Sequence, residues 1–305
     1  MNQRTRGHGM REVRQDLAYQ RHLLVNVIFS GPPGAGDRGW ALIDAGLALS
    51  ASRIIRGAES RFGRRARPAA IILTHGHFDH VGALGDLLDH WDVPVFAHPF
   101  EFPFLTGVRP YLPPEPRVGG GAMAALSFSY PRGPYHFESR LLPLPPEGLV
   151  PGMPRWRWVH TPGHTPGHVA LMRPSDRTMI AGDAFVTTKQ ESAVAVLTQR
   201  REMHGPPAYF TPDWASARRS VELLADLEPE AAITGHGRAF EGFELREELH
   251  ELARDFGRRA VPTRGRYVRS PQAGGMIAGT PIPQAARTEG ARASSVQHGH
   301  REGSA

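Results

Sequence analysis

The chain contains no cysteine. That excludes disulfides and any thiolate metal site, so a metal bound here must use imidazole and carboxylate ligands. Lysine is nearly missing as well: Lys189 is the only one, and positive charge rests on arginine. No apolar run approaches the roughly 18 residues that suggest a membrane span. The stretch from Met1 to Arg21 is polar and has no apolar h-region, so no secretory signal is read and a cytoplasmic protein is expected. A phosphate loop is missing too. Gly31-Pro32-Pro33-Gly34-Ala35-Gly36 is glycine-rich, but its prolines remove amide donors and no Gly-Lys-Ser/Thr follows.

The formal net charge is +6, and it is local: beyond residue 257, eight arginines face two glutamates, which accounts for the whole excess. Residues 268–305, rich in Gly, Ala, Ser, Pro and Arg, read as a disordered tail. The remaining body is neutral, so neither a nucleic-acid nor a membrane partner is expected, only a small-molecule substrate. Nothing in the sequence speaks to oligomeric state. With 305 residues and 40% hydrophobic content, the chain can bury one large α/β core or two small ones.

What is present centres on Thr74-His75-Gly76-His77-Phe78-Asp79-His80. An apolar run (69–73) precedes it and an amphipathic one (81–91) follows, so a strand ends, a tight loop forms and a helix begins. His75 and His77 are two apart, which in extended backbone puts both imidazoles on one side. Three imidazoles and a carboxylate this close call for a divalent cation, zinc above all, with iron or manganese possible.

Similar signals recur. Strands are expected over 23–30, 40–43, 93–97, 155–159, 169–173, 178–180 and 230–234, and helices over 47–62, 81–91, 211–227 and 241–256. Residues 1–22 are read as an N-terminal extension and 23–267 as the domain. Asp44, His164, Asp183 and His236 each stand near the end of a strand. Gly235 and Gly237 flank His236 and let the backbone approach closely. Residues 101–154 hold twelve of the 28 prolines, so a loop-rich lid or substrate wall is expected there. Its aromatics, Tyr111 among them, either line an apolar surface or pack as ordinary core.

Together His75, His77, Asp79, His80, His164, Asp183 and His236, with Asp44, resemble the five motifs of the metallo-β-lactamase superfamily over about residues 23–256. The resemblance implies a four-layer αβ/βα sandwich of the α/β class, with a metal site at the edge between two sheets. It also implies two metals, one held by His75, His77 and His164 and the other by Asp79, His80 and His236. Asp183 would bridge them, Asp44 would orient the ligand loop, and Asp79 would pass a proton to the leaving group. Phe185, Lys189, Tyr209, Phe210 and His98 are expected to border the substrate.

Departures narrow the reading. β-Lactamases with Arg after the motif Asp also need a cysteine, and another group lacks the bridging Asp. Lactonases carry Tyr where Val186 stands, and hydroxyacylglutathione hydrolases use a Lys/Arg cluster. The segments 206–214 and 264–268 resemble a bacterial subfamily of generic metallo-hydrolases. The expectation is a dinuclear zinc hydrolase of a small ester, thioester or lactone. The alternatives are a mononuclear iron persulfide dioxygenase and, behind it, a ribonuclease-Z-like nuclease.

Overall fold

A computed structural model describes residues 5–6 and 9–269 of the chain. Strands β1 (Thr5–Arg6), β2 (Met10–Arg14), β3 (Leu17–His22), β4 (Val25–Ser30), β5 (Ala41–Ile43), β6 (Ile71–Ile72), β7 (Val95–Ala97) and β8 (Leu141–Pro143) form one sheet in that order. Pairing is antiparallel from β1 to β5 and parallel from β5 to β8. The second sheet has the order β13 (Phe240–Glu241), β12 (Ala231–Thr234), β11 (Thr178–Gly182), β10 (Val169–Arg173), β9 (Arg157–His160).

Strand period two sorts side chains into layers. Ile28, Ile43 and Ile72 of the first sheet meet Val169, Leu171, Ile180 and Ile233 of the second. Their neighbours Val27, Phe29, Leu42 and Ile71 face outward onto helices Ala51–Phe62 and Leu84–Trp91 through Ile54, Phe62, Leu87 and Trp91. Ala170, Met172, Met179 and Ala232 face helices Trp214–Asp226 and Phe243–Arg254 through Val221, Leu224, Leu249 and Leu252. The result is the expected helix–sheet–sheet–helix sandwich. No helix among the described residues is long and apolar enough to cross a membrane.

Three boundaries differ from expectation. Residues 10–22 are not an extension but two strands of the first sheet, with Leu17, Ala18 and Tyr19 fully buried. Their polar neighbours hid this: Gln20 and His22 are buried against each other at 3.0 Å, and Glu12 pairs with Arg61 at 3.0 Å. At the other end Tyr267 is buried and Val268 packs on the second core, so the domain runs through helix Arg266–Arg269. The tail expected from 268 lies, from residue 270 on, outside the described residues. The first long helix starts at Ala51 rather than Leu47, because Asp44, Gly46 and Leu49 all adopt positive φ. The 101–154 segment is irregular as expected, yet it contributes β8 to the first sheet.

Leu17→Ala should therefore cost about 2–5 kcal/mol in urea unfolding, as for other buried leucines. A change within about 0.5 kcal/mol, the range typical of surface sites, would show that β3 is not part of the cooperative core.

Candidate metal centre

Strand ends of both sheets converge at one edge. Just past β5, Asp44 is wholly buried at φ 60°. Its carboxylate accepts from the Thr74 amide, the Thr74 hydroxyl and His80 Nδ1, each at 2.8 Å. The loop following β6 is thereby fastened to the neighbouring strand.

The hydrogen bonds also set the tautomers. Thr74 spends its proton on Asp44, so His75 Nδ1 donates to Thr74 Oγ1 at 3.1 Å. The Thr211 hydroxyl donates to Pro207 O at 2.8 Å, so His164 Nδ1 donates to Thr211 at 3.1 Å. His236 Nδ1 donates to Leu24 O at 2.7 Å. In His75, His80, His164 and His236, Nδ1 is thus engaged and Nε2 is left as the lone-pair nitrogen. This outer anchoring is the arrangement typical of metal-ligating histidines. His77 is turned the other way, with Nδ1 3.1 Å from His75 Nε2 and 2.9 Å from His164 Nε2.

Asp183 stands between the two halves. Its Oδ2 is 3.5 Å from His164 Nε2 and 3.1 Å from His236 Nε2, and its Oδ1 is 3.6 Å from His80 Nε2. Asp79 Oδ2 lies 3.4 Å from His236 Nε2. Three groups have ligand atoms within 4.8 Å of one another and could hold a metal ion: His75, His77 and His164; His75, His80 and Asp183; Asp79, His80 and His236. His80 Nε2 and Asp183 Oδ1 are buried without a hydrogen-bond partner. Orphaned polar atoms aimed at one point are costly unless a cation sits there. The residues fit metal binding.

Electrostatics divide the set. Burial holds His75 and His77 well below the usual histidine range and takes His164 down to about 4, so all three are neutral ligands at neutral pH. Burial acts the same way on His80 and His236, but Asp44 and Asp183 outweigh it at His80 and Asp183 at His236, and both are raised. Burial raises Asp79.

Two supporting residues escape a reading of local spacing. His168, just before β10, accepts the Asp183 amide on Nε2 at 2.9 Å and reaches Thr161 Oγ1 with Nδ1 at 2.8 Å. Burial lowers it to about 3, so it stays a neutral acceptor. Glu101, wholly buried, accepts from the Gly76 amide at 2.9 Å and the Gly167 amide at 2.7 Å, and from the Tyr111 hydroxyl. It ties the His75–His77 loop to the loop that carries His164. Its signal was a lone acid inside the apolar Pro99-Phe100-Glu101-Phe102-Pro103. Gly235 is also required: a Cβ there would overlap Asp183 Oδ1.

A cleft of about 260 Å³ opens over His77 and His164, walled by Phe104, Tyr111, Phe210 and Tyr267. Of the expected substrate-side residues, Phe210 lines it, 4.7 Å from the His77 ring. Tyr209 is buried behind, its hydroxyl pushed well up by burial and by Asp79. Phe185, Lys189 and His98 do not line it. Phe185 is apolar and faces the core of the second sheet. Lys189 is half-buried towards His204. His98 stacks on His160 at 4.3 Å and caps the turn Pro99–Glu101.

The family model of the Metallo-beta-lactamase superfamily matches residues 24–236. The chain is 47% identical over 230 residues to the probable metallo-hydrolase YflN of Bacillus subtilis (strain 168), covering 75% of this chain and 87% of that protein. YybB, another probable metallo-hydrolase of that strain, is 30% identical over 210 residues, covering 69% and 80%. A B3 metallo-beta-lactamase with an active-site glutamic acid is similar in fold, with a TM-score of 0.54 at 19% identity over 81% of this chain and 88% of that one.

Glu101→Gln keeps the shape but cannot accept on both sides. It should weaken metal affinity by about 10–100-fold, as supporting residues of metal sites do, measured by competition with a chelator. Unchanged affinity would show that the two loops hold themselves.

Proposed function

The chain belongs to the metallo-β-lactamase superfamily, and from that premise we propose that it is a dinuclear metal-dependent hydrolase of a small ester, thioester or lactone. Zinc is the metal its donors suit best, with iron or manganese as the next choices. The observation that carries the reading is Asp183. One carboxylate faces nitrogens of both halves, with Oδ1 towards His80 and Oδ2 towards His164 and His236. A single-metal dioxygenase site built on His75, His164 and Asp183 does not use Asp79 or the Nε2 atoms of His80 and His236 as ligands. The nuclease reading lacks a basic substrate-gripping surface on the neutral body.

Zinc held by His75, His77, His164, Asp79, His80, His236 and Asp183 would supply a water acidified from about 15.7 to about 7 and a Lewis acid for a carbonyl. The protein supplies the rest. Asp44, Glu101 and His168 hold the ligand loops and Asp183 in place, so little reorganisation is needed as charge develops. The walls of Phe104, Phe210 and Tyr267 shield the carbonyl from bulk water. Asp79, whose acidity is weakened by burial, is placed to take the proton of the attacking water and return it to the leaving oxygen or sulfur.

His236→Ala should leave about one metal per chain and lower kcat/KM by more than about 100-fold, since a catalytic metal supplies several kcal/mol. Asp183→Asn should disturb both metals. Metal analysis giving one tightly held iron per chain, with oxygen uptake on glutathione persulfide, overturns the hydrolase reading.

A further inference from the structure

The cleft over the metal centre has one-sided chemistry. Its floor is His77 and His164, and its walls are mostly proline and aromatic. Both wall tyrosines have committed hydroxyls: Tyr111 donates to Glu101, and Tyr267 donates to Pro113 O at 2.5 Å. Among the described residues, and apart from the histidines and these tyrosines, Arg109 is the only titratable side chain that lines the space.

Arg109 is exposed, and its guanidinium lies 5.2 Å from the centre of the Phe104 ring. Phe104 stacks on Tyr111 at 3.9 Å, and Tyr111 sits 4.5 Å from the His77 ring. A ladder of flat groups therefore leads from a metal ligand to a cation. The Arg109 amide donates to Pro103 O at 3.0 Å, which pins the backbone. A guanidinium covered on its face keeps its N–H edges for a planar acceptor. Among the described residues no carboxylate fills that role. The acids of this segment are engaged elsewhere, Glu101 with the ligand loops and Glu115 with Arg266.

We propose that Arg109 is a specificity-determining residue that binds a terminal carboxylate of the substrate. The substrate class is then an ester, thioester or lactone whose acyl part is apolar in the middle and ends in a carboxylate. The carbonyl lies over His77 and His164, the apolar stretch lies along Phe104 and Phe210, and the carboxylate meets the guanidinium. One guanidinium matches a monoanion in a two-point bond. The proposal rests on the hydrolase reading of the metal centre.

The test uses the zinc-loaded full chain and two aryl esters, the 4-nitrophenyl hemiester of adipic acid and its methyl-capped diester, followed by nitrophenolate release. Wild type should favour the free acid over the capped ester by at least about tenfold in kcat/KM, as a charged hydrogen bond allows. Arg109→Gln should bring that ratio close to one, chiefly through KM of the free acid. Arg109→Lys should keep part of it, having charge without the fork. A ratio near one in wild type, or an undiminished ratio in Arg109→Gln, overturns the proposal. If wild type hydrolyses neither ester, the hydrolase reading fails and calorimetry with adipate decides for Arg109. Binding at least about tenfold weaker in Arg109→Gln then supports the assignment, and equal binding by both proteins, or none by wild type, overturns it.

Discussion

Asp44 is a carboxylate buried completely inside the fold. Three donors satisfy it, two from Thr74 and one from His80. Because Thr74 and His80 bracket the ligand loop, the same contacts that make the buried charge tolerable also fix where His75, His77 and Asp79 can go. The positive φ of Asp44 is an uncommon conformation for a residue other than glycine. It turns the carboxylate inward at the point where β5 stops. Ala45 then donates to His80 O at 2.6 Å, so the chain leaving β5 is bound to the loop a second time. The metal centre is a property of that junction more than of any one histidine.

Burial and neighbouring charge act in opposite directions across the donor set. Burial holds His75, His77 and His164 down, while the neighbouring carboxylates raise His80 and His236. Buried imidazoles without a cation or a proton would be left as unpaired polar groups.

Much of the centre was legible because its signals are local. His75, His77, Asp79 and His80 sit in one loop, and His164, Asp183 and His236 each mark a strand end. His168 and Glu101 were not, because their partners are distant in sequence: Glu101 bonds Gly76 and Gly167, and His168 bonds Asp183. Substrate-side residues were the least readable. Phe210 faces the cleft and Phe185 faces a core, a difference decided by tertiary packing and not by residue type. The N-terminal strands were hidden for a related reason. Gln20 and His22 look like surface residues until they are seen to satisfy each other.

Tyr267 closes the cleft by a bond to Pro113, and His236 completes the ligand set from far along the chain. Synthesis is vectorial, at about 5–20 residues per second. The first sheet and the loop bearing His75 and His77 therefore leave the ribosome well before either closing residue exists. For that interval the nascent chain carries His75 and His77 and then Phe104, Arg109 and Tyr111 of the wall, without Phe210 and Tyr267 that complete it. A half-made centre could take up a metal, but it would have neither the second half nor the bounded space over it. Order of appearance in the chain thus puts the loop of His75 and His77 first and the enclosure of the space over it last.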